Sequence, residues 1–285
     1  MTKKTYIRLL IIPVSIALLF CSCGTPGANT SEKELAVATS LETPKAQAVV
    51  SKNDIPMIHM DSSITTDDLM GKIEPQEHSA FVEMSTKHAS DKGMYLRKDA
   101  YDAFIKMFDA AQKDGVTFLI RSATRNFDRQ KVIWEGKWNG TRLLEGNENA
   151  KKNYPIPKDR ALKILEYSSM PGTSRHHWGT DIDINSFVNS YFEKGKGLKE
   201  YEWLVANAAT YGFCQPYTPK DKDRPNGYNE EKWHWSYLPV AIKLTDQYRL
   251  RLNNEAISGF DGDETAVEID VVRNYVLGIN HRCLH

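Results

Sequence analysis

The chain of 285 residues has no excess charge of either sign, because its 37 basic residues match its 37 acidic ones. No basic stripe is present, and this absence argues against nucleic acid as a partner. The sequence also lacks an internal repeat, a glycine-rich phosphate-binding loop and a heptad run. The Gly-x-Ser-x-Gly and Ser-x-x-Lys patterns of serine nucleophiles are missing at plausible positions. These absences turn attention to metal chemistry.

Long apolar runs are also scarce, and the one at the N-terminus, Leu9–Phe20, follows a basic start. It is too short for a bilayer-spanning helix, which needs about 20 residues. Residues 1–23 are therefore predicted to be an export signal. The run leads into Cys21-Ser22-Cys23-Gly24, which resembles a loose bacterial lipoprotein cleavage box with Cys23 as the lipidated residue. An ordinary secretory signal cut nearby and an uncleaved anchor are the alternatives.

Cysteine is rare, with four in the chain, two of them in the signal. Export would permit a disulfide between the remaining pair, Cys214 and Cys283. The two could equally be separate buried small hydrophobes. Residues 24–55 have few large apolar side chains, which predicts a flexible tether. Residues 56–250 then make one globular domain, and residues 251–285 are predicted to be a helical C-terminal extension of unknown purpose.

Hydrophobic periodicity predicts helices and short strands in the globular region. Apolar residues recur at three- and four-residue steps from Asp99 to Asp114, which indicates an amphipathic helix ended by Gly115. The segment Val116–Ile120, apolar apart from Thr117, predicts a strand that delivers Arg121–Arg125 into a cleft. Polar residues punctuated by Gly, Asn and Pro predict an inserted loop at Asn139–Pro157. Further helices are predicted at Phe127–Trp138, Asp159–Tyr167, Leu198–Tyr211 and from Val267 to Ile279.

Two clusters carry candidate chemistry. The first runs from Ser174 to Asp183 and the second is Glu231-Lys232-Trp233-His234. Imidazole nitrogen and carboxylate oxygen are ligands that Zn²⁺ accepts. His176, Asp183 and His234 can supply three of them and leave Glu231 free as a base. A solvated loop holding polar residues is the alternative.

The alternation in Thr180–Ile184 predicts a strand with Asp181 and Asp183 on one face. Strand geometry alone does not choose between these two carboxylates. Residues three apart in a strand point to opposite faces, so Glu231 is predicted to precede a strand that begins near Trp233. Trp233 and Trp235 are predicted to be core aromatics.

The pattern Ser-x-His-x-x-Gly-x-x-x-Asp followed by Glu-x-Trp-His resembles the zinc D,D-peptidases, which include VanY and VanX types and some phage endolysins. The matching residues are Ser174, His176, Gly179, Asp183, Glu231, Trp233 and His234. Upstream, Arg121–Arg125 with Gln130 is similar to the family's Ser-x-x-Arg…Gln segment. The resemblance implies an α+β fold: a single domain with a small central antiparallel sheet flanked by helices, and a zinc site at the sheet, as in hedgehog and D,D-peptidase domains.

The resemblance also implies roles for individual residues. One Zn²⁺ ion is expected on His176, Asp183 and His234. Asp181, where the family usually carries a small residue, is left as a partner that orients an imidazole. Glu231 is expected to be the general base. Arg125 is expected to stabilise the negative charge that develops during the reaction. Ser174 and Gln130 are expected to contact the substrate.

The function implied by the resemblance is a D-alanyl-D-alanine carboxypeptidase that hydrolyses peptidoglycan stem peptides. Residues 56–250 would be its peptidase domain. An export signal and lipid anchor imply the bacterial cell envelope, on the periplasmic side and attached to the membrane. An endopeptidase or dipeptidase of the same family is the nearer alternative, and a noncatalytic zinc-containing wall-binding protein is the more distant one.

Overall fold

The computed structural model describes residues 59–284. The predicted signal, Cys23 and the tether at residues 24–55 lie outside the described residues. Within them the helices are α1 (Thr66–Met70), α2 (Lys98–Lys113), α3 (Phe127–Trp138), α4 (Ala150–Asn153), α5 (Pro157–Ile164), α6 (Gly195–Asn207), α7 (Leu238–Arg251) and α8 (Thr265–Ile269). The strands are β1 (Phe81–Glu83), β2 (Tyr95–Arg97), β3 (Ile120–Ser122), β4 (Asp181–Ile184), β5 (Phe213–Cys214) and β6 (His234–Tyr237). In this part of the chain, no helix has the length and apolar character needed to span a membrane.

A four-stranded sheet lies at the centre, with the strand order β3-β4-β6-β5. All three of its strand pairs are antiparallel. Strands β1 and β2 form a separate antiparallel pair. The expected α+β fold with a small antiparallel sheet flanked by helices is confirmed.

The two faces of β4 differ in chemistry, as its alternating sequence predicts. Ile182 and Ile184 are fully buried in a cluster with apolar residues of α2 and α6. The carboxylates of Asp181 and Asp183 alternate with them and are also buried. A second apolar cluster joins α3, α5, α7 and α8. The sheet therefore presents paired acidic side chains inside the molecule, where each needs a specific partner.

The strand predicted at Val116–Ile120 begins later, at Ile120. Asn185 follows the end of β4 and has a φ of 62°. Its side chain makes the hydrogen bonds that a neighbouring strand would otherwise make to residues 117–119. Its Oδ1 accepts from the Leu119 backbone 2.7 Å away, and its Nδ2 donates to the Thr117 carbonyl at 3.1 Å. The Leu119 amide and the Thr117 carbonyl therefore have a side-chain partner without strand pairing.

The single helix predicted from Val267 to Ile279 is broken. Helix α8 ends at Ile269, because Asp270 adopts a φ of 52°, and a π-helical turn follows at Val272–Val276. Val267 is exposed, while Val271 and Ile279 are buried. The loop predicted at Asn139–Pro157 likewise contains the short helix α4.

The C-terminal extension contributes to the same core as the globular region. Phe260 packs edge-on against Trp134 with ring centroids 6.0 Å apart. A disulfide joins Cys214 of β5 to Cys283, which decides between the two alternatives left open by the sequence. The extension is thus packed and covalently tied to the sheet.

Candidate metal centre

A short 3-10 turn at Arg175–Trp178 brings His176 to the sheet. Gly179 ends the turn with a φ of 66°, a conformation that favours glycine. The chain passes so close to β1 that a Cβ on Gly179 would lie 2.2 Å from the Phe81 ring. The next strand then carries Asp183, which pairs in register with His234 on β6. One tight turn and two neighbouring strands therefore bring these three side chains to the same region of the sheet.

The side chains of His176, Asp183 and His234 meet at one point. One ligand atom from each lies within 4.8 Å of the other two. His176 Nε2 is 3.3 Å from Asp183 Oδ2, and His234 Nδ1 is 3.1 Å from Asp183 Oδ1. All three residues are buried. Two nitrogens and one oxygen at this spacing form a donor set that suits zinc.

The remaining nitrogen of each imidazole has a protein partner. His176 Nδ1 lies 2.8 Å from the carbonyl oxygen of Ala123. His234 Nε2 lies 2.9 Å from Oδ2 of Asp181. Because a carbonyl and a carboxylate only accept, these nitrogens carry the hydrogens. His176 Nε2 and His234 Nδ1 are the ring nitrogens turned toward Asp183, and these are the atoms that a metal ion at this point would bind, displacing any hydrogen they carry.

Asp181 sits in a fully buried polar network behind His234. Its Oδ2 accepts from Arg175 Nε at 3.0 Å, and its Oδ1 accepts from the hydroxyls of Ser236 and Thr180, each at 2.7 Å. Burial alone would raise the pKa of Asp181, but the Arg175 guanidinium and His234 outweigh it and hold that pKa well below its usual range. Asp181 is therefore an anion that fixes the orientation of the His234 ring.

Glu231 precedes β6, as the sequence predicts, and its side chain reaches the same point. Its Oε2 lies 3.2 Å from His234 Nδ1. Burial raises the pKa of the Glu231 carboxyl, and the neighbouring His234 offsets part of that rise. Glu231 is thus a buried carboxylate beside the three ligands, with a raised proton affinity.

The structure brings Arg125 to the same site. Arg125 donates to Ser122 Oγ at 2.8 Å and lies 3.8 Å from Asp183 Oδ2. Burial lowers the pKa of the Arg125 guanidinium, and Asp183 offsets part of that effect. The guanidinium lines the cleft in front of the three ligands.

Ser174 and Gln130 also line this cleft. Gln130 Nε2 donates to the Ser169 carbonyl at 2.8 Å. Within the described residues, the Ser174 hydroxyl and Gln130 Oε1 are buried and have no hydrogen-bond partner. Buried polar atoms are normally paired, so these two are available for a ligand.

A protein-family model described as VanY: D-alanyl-D-alanine carboxypeptidase matches residues 93–240, more than half of the 285 residues. The chain belongs to the VanY D-alanyl-D-alanine carboxypeptidase family. The resemblance identified from the motifs is thereby confirmed. The matched range contains the three convergent residues, Glu231 and Arg125.

Individual VanY relatives align over the same region. YodJ of Bacillus subtilis is 35% identical over 146 residues, which are 50% of this chain and 46% of that protein. The D-alanyl-D-alanine carboxypeptidase of Enterococcus faecalis is 31% identical over 144 residues, 50% of this chain and 48% of that protein. The chain spans about half the length of these curated relatives. A solved structure of VanYB in complex with D-alanine-D-alanine is 25% identical, covers 62% of this chain and 87% of that one, and superposes with a TM-score of 0.45.

The cleft of this VanY-family chain has a volume of about 740 Å³. Trp233 lines it and faces Tyr167, with ring centroids 6.3 Å apart. Trp233 is buried, as predicted for a core aromatic, and its ring also forms part of the cleft wall. Trp235, inside β6, is buried in the core as predicted.

His177, the other imidazole of the motif, is turned away from the ligands. Its Nδ1 lies 2.7 Å from the Arg125 carbonyl, and its Nε2 accepts from the Gly172 amide at 3.0 Å. Burial lowers the pKa of His177 to about 3. Both ring nitrogens serve the backbone, so this residue has no lone pair to offer a metal.

One cleft residue that the motifs do not reveal is Lys137, whose side chain is buried on the wall of the cleft. It lies seven positions after Gln130 on α3, and this spacing puts the two residues on one helical face. This seven-residue spacing is the only feature of the sequence that could have indicated Lys137 as a cleft residue. The contact between its ammonium group and Ser168, 31 residues away, cannot be predicted from the sequence pattern.

Proposed function

We propose that the protein is a zinc-dependent D-alanyl-D-alanine carboxypeptidase that hydrolyses peptidoglycan stem peptides. The observation that carries the proposal is the convergence of His176, Asp183 and His234, with one nitrogen of each imidazole turned inward and the other held by a protein acceptor. Membership of the VanY family supports the substrate class. A buried carboxylate next to these ligands supports a hydrolytic site, since a structural zinc site has no use for a free base.

Zinc at this position would polarise the scissile carbonyl and acidify the attacking water. Glu231 would take the proton from that water and later return it to the leaving amine. Its raised pKa, caused by burial, suits both halves of this task, because a general base works best when its pKa approaches the working pH.

Arg125 would stabilise negative charge that develops on the substrate oxygen during attack. Its position, 3.8 Å from Asp183, places a fixed set of donors at the mouth of the ligand cluster. Ser174 and Gln130 would hold the substrate through their unpaired buried polar atoms. Asp181 would keep the His234 ring aimed at the ion.

The proposal extends to the site of action in the cell. Residues 1–23 would direct export, Cys23 would carry a lipid anchor, and residues 24–55 would let the peptidase domain, residues 56–250, reach the wall from the membrane. The support is the apolar run followed by the cysteine box and the family's wall substrate. Labelling with radioactive palmitate should mark the wild type and leave Cys23→Ser unlabelled, and equal labelling would reject the anchor.

Digestion of purified muropeptides tests the activity. The zinc-loaded protein should shorten stem peptides by one alanine residue, as seen by mass spectrometry. A chelator should abolish the reaction, and added zinc should restore it. Release of a dipeptide, or cleavage inside a cross-bridge, would instead identify a dipeptidase or endopeptidase of the family.

A further inference from the structure

Helix α3 presents two long polar side chains to the same wall of the cleft. Gln130 Nε2 donates to the Ser169 carbonyl at 2.8 Å, and Lys137 Nζ donates to the Ser168 hydroxyl at 2.7 Å. The two helix residues are about two turns apart. Both line the cleft that contains the metal ligands. A cation and an amide are therefore held on one wall of the cleft, about two helical turns apart.

Lys137 is 5% exposed, and its ammonium group has only a solvent-exposed carboxylate as its ion-pair partner among the described residues. The nearest carboxylate oxygen in the described residues is Glu145 Oε1 at 3.3 Å, on a side chain that is 53% exposed. An ion pair with a solvated partner contributes little, whereas a buried ammonium requires good compensation. Burial lowers the pKa of Lys137, and Glu145 offsets only part of that effect.

The donors of Lys137 are also incompletely used. An ammonium group has three hydrogens to donate. Ser168 and Glu145 account for two of them. No acceptor for the third lies among residues 59–284, so it can donate to a molecule in the cleft. Ser168 is neutral and fixed, so Glu145, which lies next to Gly146 on a short 3-10 turn, is the partner that can be exchanged.

The balance of charge in the cleft favours an anionic ligand. Three cationic side chains line it, and four carboxylates line it with them. A divalent ion on the ligand cluster would leave the cleft with a surplus of positive charge. Outside the ligand cluster the three cations are balanced by three carboxylates, so the surplus would lie at the ion, and Glu145 is one of the carboxylates that an anionic substrate could replace.

We propose that Lys137 binds a carboxylate of the substrate, which takes the place of Glu145. This inference rests on the proposed function, which supplies a peptide with a free carboxylate. The carboxylate is either the C-terminal one or that of an acidic residue earlier in the stem. The contact is a charge-assisted hydrogen bond, about twice as strong as a neutral one. In the first case Lys137 also selects a carboxypeptidase reaction over cleavage inside a chain.

Calorimetric binding to the zinc-loaded full chain tests the proposal. The Glu231→Gln background prevents turnover, and the probe is diacetyl-L-lysyl-D-alanyl-D-alanine. Lys137→Met should weaken binding of this probe, or of a stem peptide that carries the acidic residue, by roughly 10- to 100-fold, with zinc content unchanged. The matched control is Lys151→Met, because Lys151 is exposed on the neighbouring helix α4. Equal binding by Lys137→Met and Lys151→Met, for this probe and for a stem peptide with its acidic residue, would overturn the proposal.

Two further peptides identify which carboxylate is bound. If Lys137 holds the terminal group, the C-terminal amide of the probe should bind wild type and Lys137→Met equally. If Lys137 holds the carboxylate of the acidic stem residue, only amidation of that residue should remove the difference between wild type and variant.

A second variant leaves Lys137 in place and guards against misfolding. Glu145→Gln removes the competing carboxylate, so it should tighten binding of the acid peptide severalfold. A purely structural ion pair predicts lower stability and no tighter binding, and that result would overturn the proposal. Failure of the proposed function would look different: the zinc-loaded wild type would release no D-alanine, while the dependence of binding on Lys137 would persist.

Discussion

Oδ2 of Asp181 lies 2.9 Å from Nε2 of His234, and the same oxygen accepts from Arg175 at 3.0 Å. All three side chains are buried. The guanidinium keeps the carboxylate ionised, and the carboxylate fixes the hydrogen of His234 on Nε2. Nδ1 is consequently the ring nitrogen that faces Asp183, 3.1 Å from its Oδ1. A pair of residues behind the ligand cluster thus determines which nitrogen faces the ion.

Asp181→Asn should weaken zinc binding without removing any ligand. The neutral amide no longer polarises the His234 ring, and loss of such a partner typically lowers metal affinity by roughly 10- to 100-fold. Competition against a chromophoric chelator at fixed pH measures the change. Asp128→Asn, at an exposed position at the start of α3, is the control. Unaltered affinity in Asp181→Asn would show that the network is structural only.

Gly179→Ala should destabilise the fold strongly. The substitution places a Cβ 2.2 Å from the Phe81 ring at a φ of 66°, so strain and overpacking together are expected to cost about 2–5 kcal/mol. Gly146→Ala is the matched comparison, since Gly146 has a φ of 74° and open space around it. It should lose only about 1–2 kcal/mol. Urea denaturation gives the free energy of unfolding of both variants. Similar losses of stability in the two would refute the steric argument.

Removing the disulfide should lower stability. Cys214 and Cys283 are 69 residues apart, and loss of such a cross-link typically costs about 2–5 kcal/mol. The Cys214→Ser/Cys283→Ser double variant should match the reduced wild type in denaturant and should not respond to reductant. A double variant as stable as the oxidised wild type would contradict the expected contribution.

The stability of the fold should depend on pH through His88. This residue is 6% exposed, its Nδ1 lies 2.7 Å from the Tyr101 hydroxyl, and its ring packs on Phe108. Burial lowers its pKa below 6.5, so the unfolded chain binds the proton more readily. The free energy of unfolding should therefore fall as pH drops below 6.5, by roughly 1.4 kcal/mol for each unit between the folded and unfolded pKa values.

His88→Gln should lose this dependence. Denaturation of wild type and variant at pH 8 and at pH 5 gives the difference. The wild type should lose more stability between the two conditions. Parallel pH profiles would mean that His88 is protonated in the folded chain as easily as in the unfolded one.

Helix α3 and the ligand residues could be predicted from the sequence because their signals are local. Helix α3 was predicted at its observed bounds, where Asn126 caps its first turn. The metal motif is likewise set by short spacings, and the strand alternation of β4 correctly put Asp181 and Asp183 together. The choice between them required the family pattern, since strand geometry treats both alike.

The features that sequence reasoning missed depend on contacts between distant residues. The side chain of Asn185 bonds to the backbone before β3, so that this segment does not pair as a strand. Hydrophobic periodicity does not predict this contact. Trp233 is buried as predicted, but the contribution of its ring to the cleft wall is visible only in the folded arrangement. Lys137 reaches Ser168, 31 residues away, and only the packing of α3 on that segment turns it toward the cleft.

The most direct test of the proposed mechanism is to measure zinc content and turnover together in Glu231→Gln. Because Glu231 is the proposed base and lies outside the three ligands, the variant should still bind one zinc ion per chain. Its release of D-alanine from stem peptides should fall by roughly 100-fold or more, the usual contribution of a positioned general base. Full zinc occupancy with turnover equal to that of the wild type would contradict the proposed mechanism.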